Sequence, residues 1–175
     1  MSNLEQNLID NFGSYKDFPK PGIVFCDILP ILRKPELFHE LIQKMSSSKS
    51  VQESEALLAI DARGFIFGTA LAQLTKKPLV LARKPGKLPG ETIEASYDLE
   101  YGKNTLCIQK SSIDPFESFS IIDDLLATGG TAACVEKMLF SSNKKVKSLS
   151  VVVELPFLNG RKSLDCEVNS VVKLD

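Results

Sequence analysis

A short run of uninterrupted apolar residues, Ala56–Ile60, is the feature that most constrains the fold of this chain. Runs of this length and composition are typical of parallel strands that are buried on both faces of a sheet. A break at residues 61–64 follows, and residues 65–74 have the pattern of a helix. Strand and helix alternate again later in the chain. The sequence therefore predicts an α/β domain with a central, mainly parallel sheet flanked by helices.

The other elements are predicted from apolar spacing and from interruptions by Pro and Gly. The predicted strands cover residues 23–25, 56–60, 78–82, 105–109, 119–122, 149–153 and 167–172. The predicted helices cover residues 35–45, 65–74 and 131–140, and an N-terminal helix ends near Gly13. Residues 83–102 are polar and rich in Pro, Gly and charge, with weak signals for local structure. A long segment of this kind inside a compact domain is usually functional or mobile.

Size and charge limit the possible partners. The 175 residues suit a single domain, and a hydrophobic content of 43% is enough for an ordinary core. Lys and Arg number 21 against 22 Asp and Glu, which disfavours a broad nucleic-acid surface. No apolar run approaches the roughly 18 residues that span a bilayer, and the N-terminus lacks the pattern of a signal peptide. We therefore expect a cytoplasmic protein with neither a nucleic-acid nor a membrane partner.

The cysteines and the histidine give little support for metal or nucleophile chemistry. The four cysteines are widely spaced, without a C-x-x-C pair, and His39 is the only histidine. A structural zinc site and a histidine-dependent nucleophile both lack their usual residues. The cysteines are therefore interpreted as reduced thiols.

Residues 120–131 carry the clearest chemical signal. An apolar strand is followed by small residues and by Gly129 and Gly130, which open a predicted helix. Glycine lets a backbone approach a ligand closely, and the N-terminus of a helix attracts anions. The N–H groups of residues 127–131, with the hydroxyls of Thr128 and Thr131, are therefore predicted to bind a phosphate.

Asp123 and Asp124 lie at the predicted end of the same strand, where open α/β sheets bind ligands. They would repel a phosphate in the same pocket, so we interpret them as acceptors for sugar hydroxyls. They are also candidate ligands of Mg²⁺, which favours oxygen. The combination predicts a phosphorylated ribose as the ligand. The chain contains neither a P-loop nor a dinucleotide-binding motif.

Residues 121–131 resemble the 5-phosphoribosyl-1-pyrophosphate (PRPP) motif of type I phosphoribosyltransferases. Further segments are similar to the adenine phosphoribosyltransferase family, and the resemblance extends over about residues 17–161. These segments are residues 18–25, 62–68, 83–89 and 96–102.

The resemblance implies the single-domain type I phosphoribosyltransferase fold over residues 1–175. Residues 1–34 would form the N-terminal helix and a base-binding arm, and residues 83–103 a flexible hood or lid loop that is catalytic and mobile. It implies transfer of phosphoribose from PRPP to adenine, which gives AMP and pyrophosphate in purine salvage. It also implies Mg²⁺, held mainly by PRPP, and a homodimer in which the neighbouring subunit supplies some of the basic residues.

The resemblance assigns roles to individual residues. The residues implied for the 5-phosphate and ribose are Asp123, Asp124, Ala127, Thr128, Gly129, Gly130 and Thr131. Those implied for pyrophosphate are Arg63, Arg83, Lys84 and Lys87, and those for adenine are Val24, Phe25 and Leu155. Glu100 matches the acid that manages the proton, and Tyr101 would shape the lid. The catalytic set is then Glu100, Arg63, Asp123 and Asp124. The bond between Asp61 and Ala62 matches a cis peptide of the family.

One departure from the family and two alternatives stay open. Many relatives carry Arg where this chain has Cys26, and a cysteine cannot replace the fork of donors of an arginine. One alternative is a phosphoribosyltransferase for another nucleobase. The other is a non-catalytic regulator of the same fold that senses PRPP or a purine.

Overall fold

A seven-stranded sheet organises the computed structural model, which describes residues 3–18, 20–22, 24–99 and 102–174. The strand order across this sheet is β5-β6-β4-β3-β7-β8-β9. Five adjacent strands of this sheet, β4, β3, β7, β8 and β9, are parallel to one another. Strand β6 runs antiparallel to both of its neighbours, β4 and β5. The sheet strands are β3 (Ala56–Ile60), β4 (Leu79–Arg83), β5 (Thr92–Leu99), β6 (Gly102–Gln109), β7 (Ser118–Leu126), β8 (Lys145–Glu154) and β9 (Glu167–Lys173).

Helices cover both faces of the sheet, and a small hairpin lies beside it. The hairpin consists of β1 (Gly13–Lys16) and β2 (Val24–Asp27), which pair antiparallel. The α-helices in the described ranges are α1 (Asn3–Asp10), α2 (Pro35–Ser46), α3 (Lys49–Glu53), α4 (Gly64–Thr75), α5 (Lys110–Ile113) and α6 (Gly130–Ser141). Short 3-10 helices cover Leu29–Arg33, Pro156–Leu158 and Gly160–Ser163. None of the helices in these ranges has the length and apolar character needed to cross a bilayer.

The central strands are buried on both faces, as their continuous apolar sequences predict. Neighbouring residues of one strand belong to different core clusters, since successive side chains point to opposite faces. Ile121 packs with α6 in one cluster, and Ile122 packs with α2 and α4 in the other. All five residues of β3 are buried. A fully buried Leu or Ile contributes roughly 1.5–3 kcal/mol, so these strands anchor the domain.

The structure differs from the expectation of weak local structure in residues 83–102. Eight of these residues form β5, which pairs along its length with β6. Ile93, Ala95 and Tyr97 alternate along β5 and pack against the cluster that contains α6. The charged residues between them mask this period-two pattern, which is typical of a half-buried strand. A second difference is Gly13, which begins β1 instead of ending the first helix.

The parallel strands deliver the predicted site residues to one edge of the sheet. Strands β3, β4, β7 and β8 run in the same direction, so their carboxyl ends lie together. Arg63 follows β3, Arg83 ends β4, the paired acids lie in β7, and Leu155 follows β8. Ligands bind at such an edge in open α/β sheets.

Candidate active site

A glycine-containing turn joins β7 to α6 and forms one wall of a small cavity. Gly129 has a φ of +85°, a left-handed conformation that favours glycine. The cavity has a volume of about 80 Å³. Since a water molecule occupies roughly 30 Å³ in the liquid, there is room for a group the size of a phosphate. The lining residues are Asp123, Leu125, Leu126, Ala127, Thr128, Gly129, Gly130, Thr131, Ala132 and Leu149.

The N-terminus of α6 is open toward this cavity. The helix has 12 residues, no side chain caps its first turn, and that turn carries no acidic residue. Its free N–H groups and its dipole therefore favour an anion. Within the described ranges, the hydroxyls of Thr128 and Thr131 make no hydrogen bond to protein, so both can donate to a ligand. The helix begins at Gly130, one residue before the predicted start.

A second turn, Gly160–Ser163, lies behind residues 127–129, the turn that is predicted to bind phosphate and is called the phosphate turn below. The Ser163 hydroxyl donates to the Thr128 carbonyl oxygen over 3.1 Å. A Cβ atom on Gly160 would collide with the Ala127 carbonyl oxygen, and one on Gly129 would collide with the Gly160 carbonyl oxygen. The two backbones can approach this closely only because both positions are glycine. Sequence reasoning missed this contact, and Gly160 was the signal that could have indicated it.

An ion pair holds the supporting turn against the sheet. The Arg161 guanidinium donates from Nε to Glu154 Oε1 over 2.5 Å and from Nη2 to Glu154 Oε2 over 2.7 Å. The Ser170 hydroxyl donates to the same carboxylate over 2.6 Å. These hydrogen bonds, that of Arg161 above all, lower the pKa of Glu154 although the carboxylate is buried. Bidentate pairs of this type fix geometry as well as charge.

Asp123 lines the small cavity and is half-buried, and Asp124 beside it in the chain is buried. Asp123 Oδ1 accepts the backbone N–H of Asp124 over 2.9 Å. Burial raises the pKa of Asp123 well above its usual value, and the charge of Asp124 adds to this effect. Burial also raises the pKa of Asp124, whereas Arg63 opposes that rise. Carboxyl groups in this state can accept hydrogen bonds from sugar hydroxyls or donate to them.

Arg63 lies beside the acids because α4 approaches β7 closely. Its Nε is 2.9 Å from Asp124 Oδ2. A Cβ atom on Gly64 would lie 2.8 Å from the Ile122 carbonyl oxygen and 3.0 Å from Asp123 Oδ1, so this approach requires glycine. The peptide bond before Ala62 is cis, which confirms what the resemblance implied.

The basic residues at the end of β4 differ in their surroundings. Arg83 Nε is 3.2 Å from Asp61 Oδ2, and the Arg83 guanidinium lies 5.6 Å from the centre of the Phe65 ring. Lys84 and Lys87 are exposed on the turn that follows. Arg83 is therefore held by the protein, while the two lysines extend into solvent.

The residues implied for adenine lie on two separate elements. Phe25, on β2, is half-buried and packs edge-to-face against Phe18, with ring centres 5.1 Å apart. Val24 beside it is 63% exposed. The Leu155 N–H donates to the Leu126 carbonyl oxygen over 3.0 Å, which fixes Leu155 next to the phosphate turn. Leu155 and Cys26 both pack against the core cluster that contains α2 and α4, so the hairpin and the end of β8 rest on the same part of the core.

The remaining predictions concern Glu100, Tyr101 and a bound Mg²⁺. Glu100 and Tyr101 lie outside the described residues. Among the residues that the structure does describe, no cluster of three or more His, Cys, Asp or Glu side chains could hold a metal ion. The carboxyl group of Asp123 lines the cavity. It could therefore make one contact to a metal ion that enters the site together with a ligand.

Comparisons with known proteins agree with this geometry. No family model matches the chain. A curated adenine phosphoribosyltransferase of Prochlorococcus marinus (strain MIT 9215) is 56% identical over 170 residues, which are 97% of this chain and 99% of that protein.

Solved structures give the same result. The adenine phosphoribosyltransferase of Thermoanaerobacter pseudethanolicus has a TM-score of 0.90 and 38% identity, covering 97% of this chain and 99% of that one. The Saccharomyces cerevisiae enzyme, crystallised with D-2,5-dideoxy-2,5-imino-altritol 1,6-bisphosphate and adenine, has a TM-score of 0.91 and 36% identity, covering the same shares of each chain. Sequence identity of this extent over almost the whole length shows that the chain belongs to the adenine phosphoribosyltransferase family.

Proposed function

We propose that this chain transfers the 5-phosphoribosyl group of PRPP to adenine and releases AMP and pyrophosphate. The observation that carries the proposal is the phosphate-sized cavity between β7 and α6, with the half-buried Asp123 in its lining and the buried Asp124 next to it in the chain. The bond from the ribose C1 to the pyrophosphate oxygen breaks, and a bond from C1 to an imidazole nitrogen of adenine forms. The proton of that nitrogen leaves with a base.

The phosphate turn anchors the ribose 5-phosphate in this proposal. The N–H groups of residues 127–131 and the hydroxyls of Thr128 and Thr131 donate to the phosphate oxygens. Asp123 and Asp124 bind the ribose hydroxyls. The place of Asp123 in the cavity lining and the absence of acidic residues from the first turn of α6 support this division of roles.

Positive charge is proposed to bind the leaving pyrophosphate. Arg63 is the first candidate, because its side chain stays 37% exposed while its Nε contacts Asp124. Lys84 and Lys87 are exposed and can reach a ligand, whereas Arg83 acts mainly by holding Asp61. When bound, Mg²⁺ neutralises part of the negative charge of the pyrophosphate. Asp123 or Asp124 would be its protein contact.

Adenine is proposed to lie between Phe25 and Leu155, with the backbone of Val24 at its edge. The exposure of Val24 and the partial burial of Phe25 and Leu155 support a site that is open before the base arrives. Glu100 accepts the proton, since a carboxylate can act as general base when its pKa suits the reaction. Tyr101 closes the site above it.

The assembly and location are part of the same proposal. We propose a homodimer in the cytoplasm, in which the neighbouring subunit contributes basic side chains such as Lys87 to each site. The exposure of the turn after β4 supports this arrangement, because its lysines extend away from their own subunit.

Turnover with a panel of nucleobases tests the proposed activity. With PRPP and Mg²⁺, we expect pyrophosphate release with adenine and at most a few per cent of that rate with hypoxanthine, xanthine or uracil. A preference for a 6-oxopurine or for uracil would contradict the adenine assignment. Absence of turnover with every base, together with retained PRPP binding, would favour the sensing role instead.

A further inference from the structure

A second, larger cavity lies between the end of α2 and the strands β8 and β9. Its volume is about 530 Å³, within the ~300–1,000 Å³ typical of small-molecule sites. It shares no lining residue with the cavity at the phosphate turn. The residues that line it are Lys44, Met45, Ser47, Ser48, Ser150, Arg161, Val168, Asn169, Ser170, Val171 and Lys173.

The charge of this lining has one sign. Lys44, Arg161 and Lys173 contribute three cations, and no acidic side chain belongs to the lining. Lys44 and Lys173 have no ion-pair partner within 4.0 Å in the ranges that the structure describes. Arg161 uses four of its five N–H groups on Glu154, Val168 and Ser170, which leaves one donor. The Lys173 charge also acts on the Glu154 carboxylate, which helps to lower the pKa of Glu154. The two lysines and the remaining Arg161 donor around a concave surface favour an anionic ligand.

A serine hydroxyl that is open to the cavity supports the same conclusion. Ser150 is 1% exposed, lines the cavity and makes no hydrogen bond within the described residues. The neighbouring serines behave differently, because the Ser120 hydroxyl bonds to that of Ser148 over 3.0 Å and donates to the Ser50 carbonyl oxygen over 3.2 Å. Because the fully buried polar side-chain atoms of the described ranges all have partners, the Ser150 hydroxyl stands out as one that a ligand in the cavity can bond to.

We propose that this cavity is a binding site for a phosphorylated small molecule, separate from the active site. Lys44 and Lys173 would neutralise the phosphate, and Arg161 would donate its remaining N–H group. Ser150 and Asn169 would bond to phosphate oxygens or to hydroxyl groups of the same ligand. Because Arg161 also holds the turn that supports the phosphate turn, a ligand here would contact that support directly.

Site-resolved NMR with inorganic phosphate as the probe tests this proposal. Uniformly ¹⁵N-labelled full-length protein is titrated with sodium phosphate, and the amide shifts of Ser150 and Asn169 are followed, while those of Thr128 and Thr131 report phosphate at the active site. We expect saturable shifts at these residues in the wild type. Lys44→Ala/Lys173→Ala should weaken phosphate binding by about tenfold or more, because two charge-assisted contacts are lost. Ser150→Ala should weaken it by about threefold or more, with little change in Tm.

Matched controls separate a site from general screening of charge. Lys137→Ala/Lys145→Ala removes the same charge from exposed positions outside the cavity and should leave the affinity unchanged within about twofold. Sodium chloride at equal ionic strength should not reproduce the shifts. The proposal is overturned if Ser150 and Asn169 show no saturable shift, if sodium chloride reproduces it, or if both double variants bind phosphate equally.

Discussion

At the scale of single residues, the two adjacent acids of β7 differ in what surrounds them. Asp124 has Arg63 beside it, whereas Asp123 has the backbone N–H of Asp124 and the small cavity. Burial raises the pKa of both carboxyls, more so for Asp123. Ligand-binding sites often contain ionisable groups whose burial lowers the stability of the folded protein.

We expect Asp123→Asn to stabilise the protein and to impair turnover. A raised pKa in the folded state means that wild-type stability falls as pH rises from about 4, the value for an unfolded aspartate, through the folded pKa. The variant cannot ionise and avoids that loss, so its Tm at pH 7 should increase by about 2–4 °C. Turnover should fall at least about tenfold. Thermal melts from pH 4 to pH 8 and steady-state rates measure both effects.

Two comparison variants make this result specific. Asp124→Asn should stabilise less, because it also weakens the contact with Arg63. Asp165→Asn changes an exposed carboxylate and should leave Tm and turnover unchanged. A lower Tm for Asp123→Asn with full activity would contradict the role assigned to this residue.

Glu100→Gln is expected to slow the chemical step more than it weakens substrate binding. The variant retains the size of the side chain but cannot accept the proton of the base. Single-turnover rates should therefore fall by about 10²-fold or more, while the Kd for PRPP changes by less than about threefold. An increase in KM for PRPP with an unchanged rate would assign Glu100 to binding instead.

At the scale of elements, the turn Gly160–Ser163 determines the position of the phosphate turn. The two turns meet through close backbone contacts at Gly129 and Gly160 and through the hydrogen bond from the Ser163 hydroxyl to the Thr128 carbonyl oxygen. The turn is itself fixed by the ion pair between Arg161 and Glu154 at the end of β8. The phosphate site therefore depends on packing between β7 and the segment after β8.

Gly160→Ala should displace the phosphate turn. The added methyl group collides with the Ala127 carbonyl oxygen, so the KM for PRPP should rise at least about tenfold, and stability should fall by about 1–3 kcal/mol. Ile113→Ala is the matched control, since it removes a buried side chain at the opposite edge of the sheet and costs about 2–5 kcal/mol. Equal effects of both variants on KM would show that lost stability alone explains the result.

Glu154→Gln should destabilise the protein at neutral pH and flatten its response to acid. The pKa of Glu154 is lowered by Arg161, so its stabilisation is present above about pH 4.3 and is lost as pH falls through the folded pKa. The exposed end of Arg161 limits the cost at pH 7 to about 1–2 kcal/mol. Urea unfolding at pH 7 and pH 3 measures the difference, which should shrink at the lower pH. Glu167→Gln, at an exposed position, should show no such change.

At the scale of the whole molecule, each site is proposed to require two subunits. Mixing the inactive variants Lys87→Ala and Asp123→Asn tests this directly. In a mixed dimer, the site of the Lys87→Ala chain keeps its own Asp123 and receives Lys87 from the partner. Random reassociation should therefore restore about a quarter of wild-type activity. Activity no higher than the sum of the separate variants would show that Lys87 acts within its own subunit.

The sequence by itself determined the alternation of strands and helices, and it predicted the chemistry of residues 120–131. Continuous apolar runs such as Ala56–Ile60 predict buried parallel strands, and these were confirmed. The acids of β7 and the glycines at the start of α6 are close in the chain, so their proximity could be predicted without a fold. The strand β5 was missed, because half of its residues face outward and are polar.

Only the tertiary structure decided which distant groups meet. Arg83 pairs with Asp61, 22 residues away, and Ser163 bonds to Thr128, 35 residues away. Long polar side chains have many partners within reach, and packing between strands selects one of them. The burial that raises the pKa of Asp123 likewise depends on elements packed from both faces of the sheet. Local sequence specifies each segment, whereas contacts between segments create the environment in which the site works.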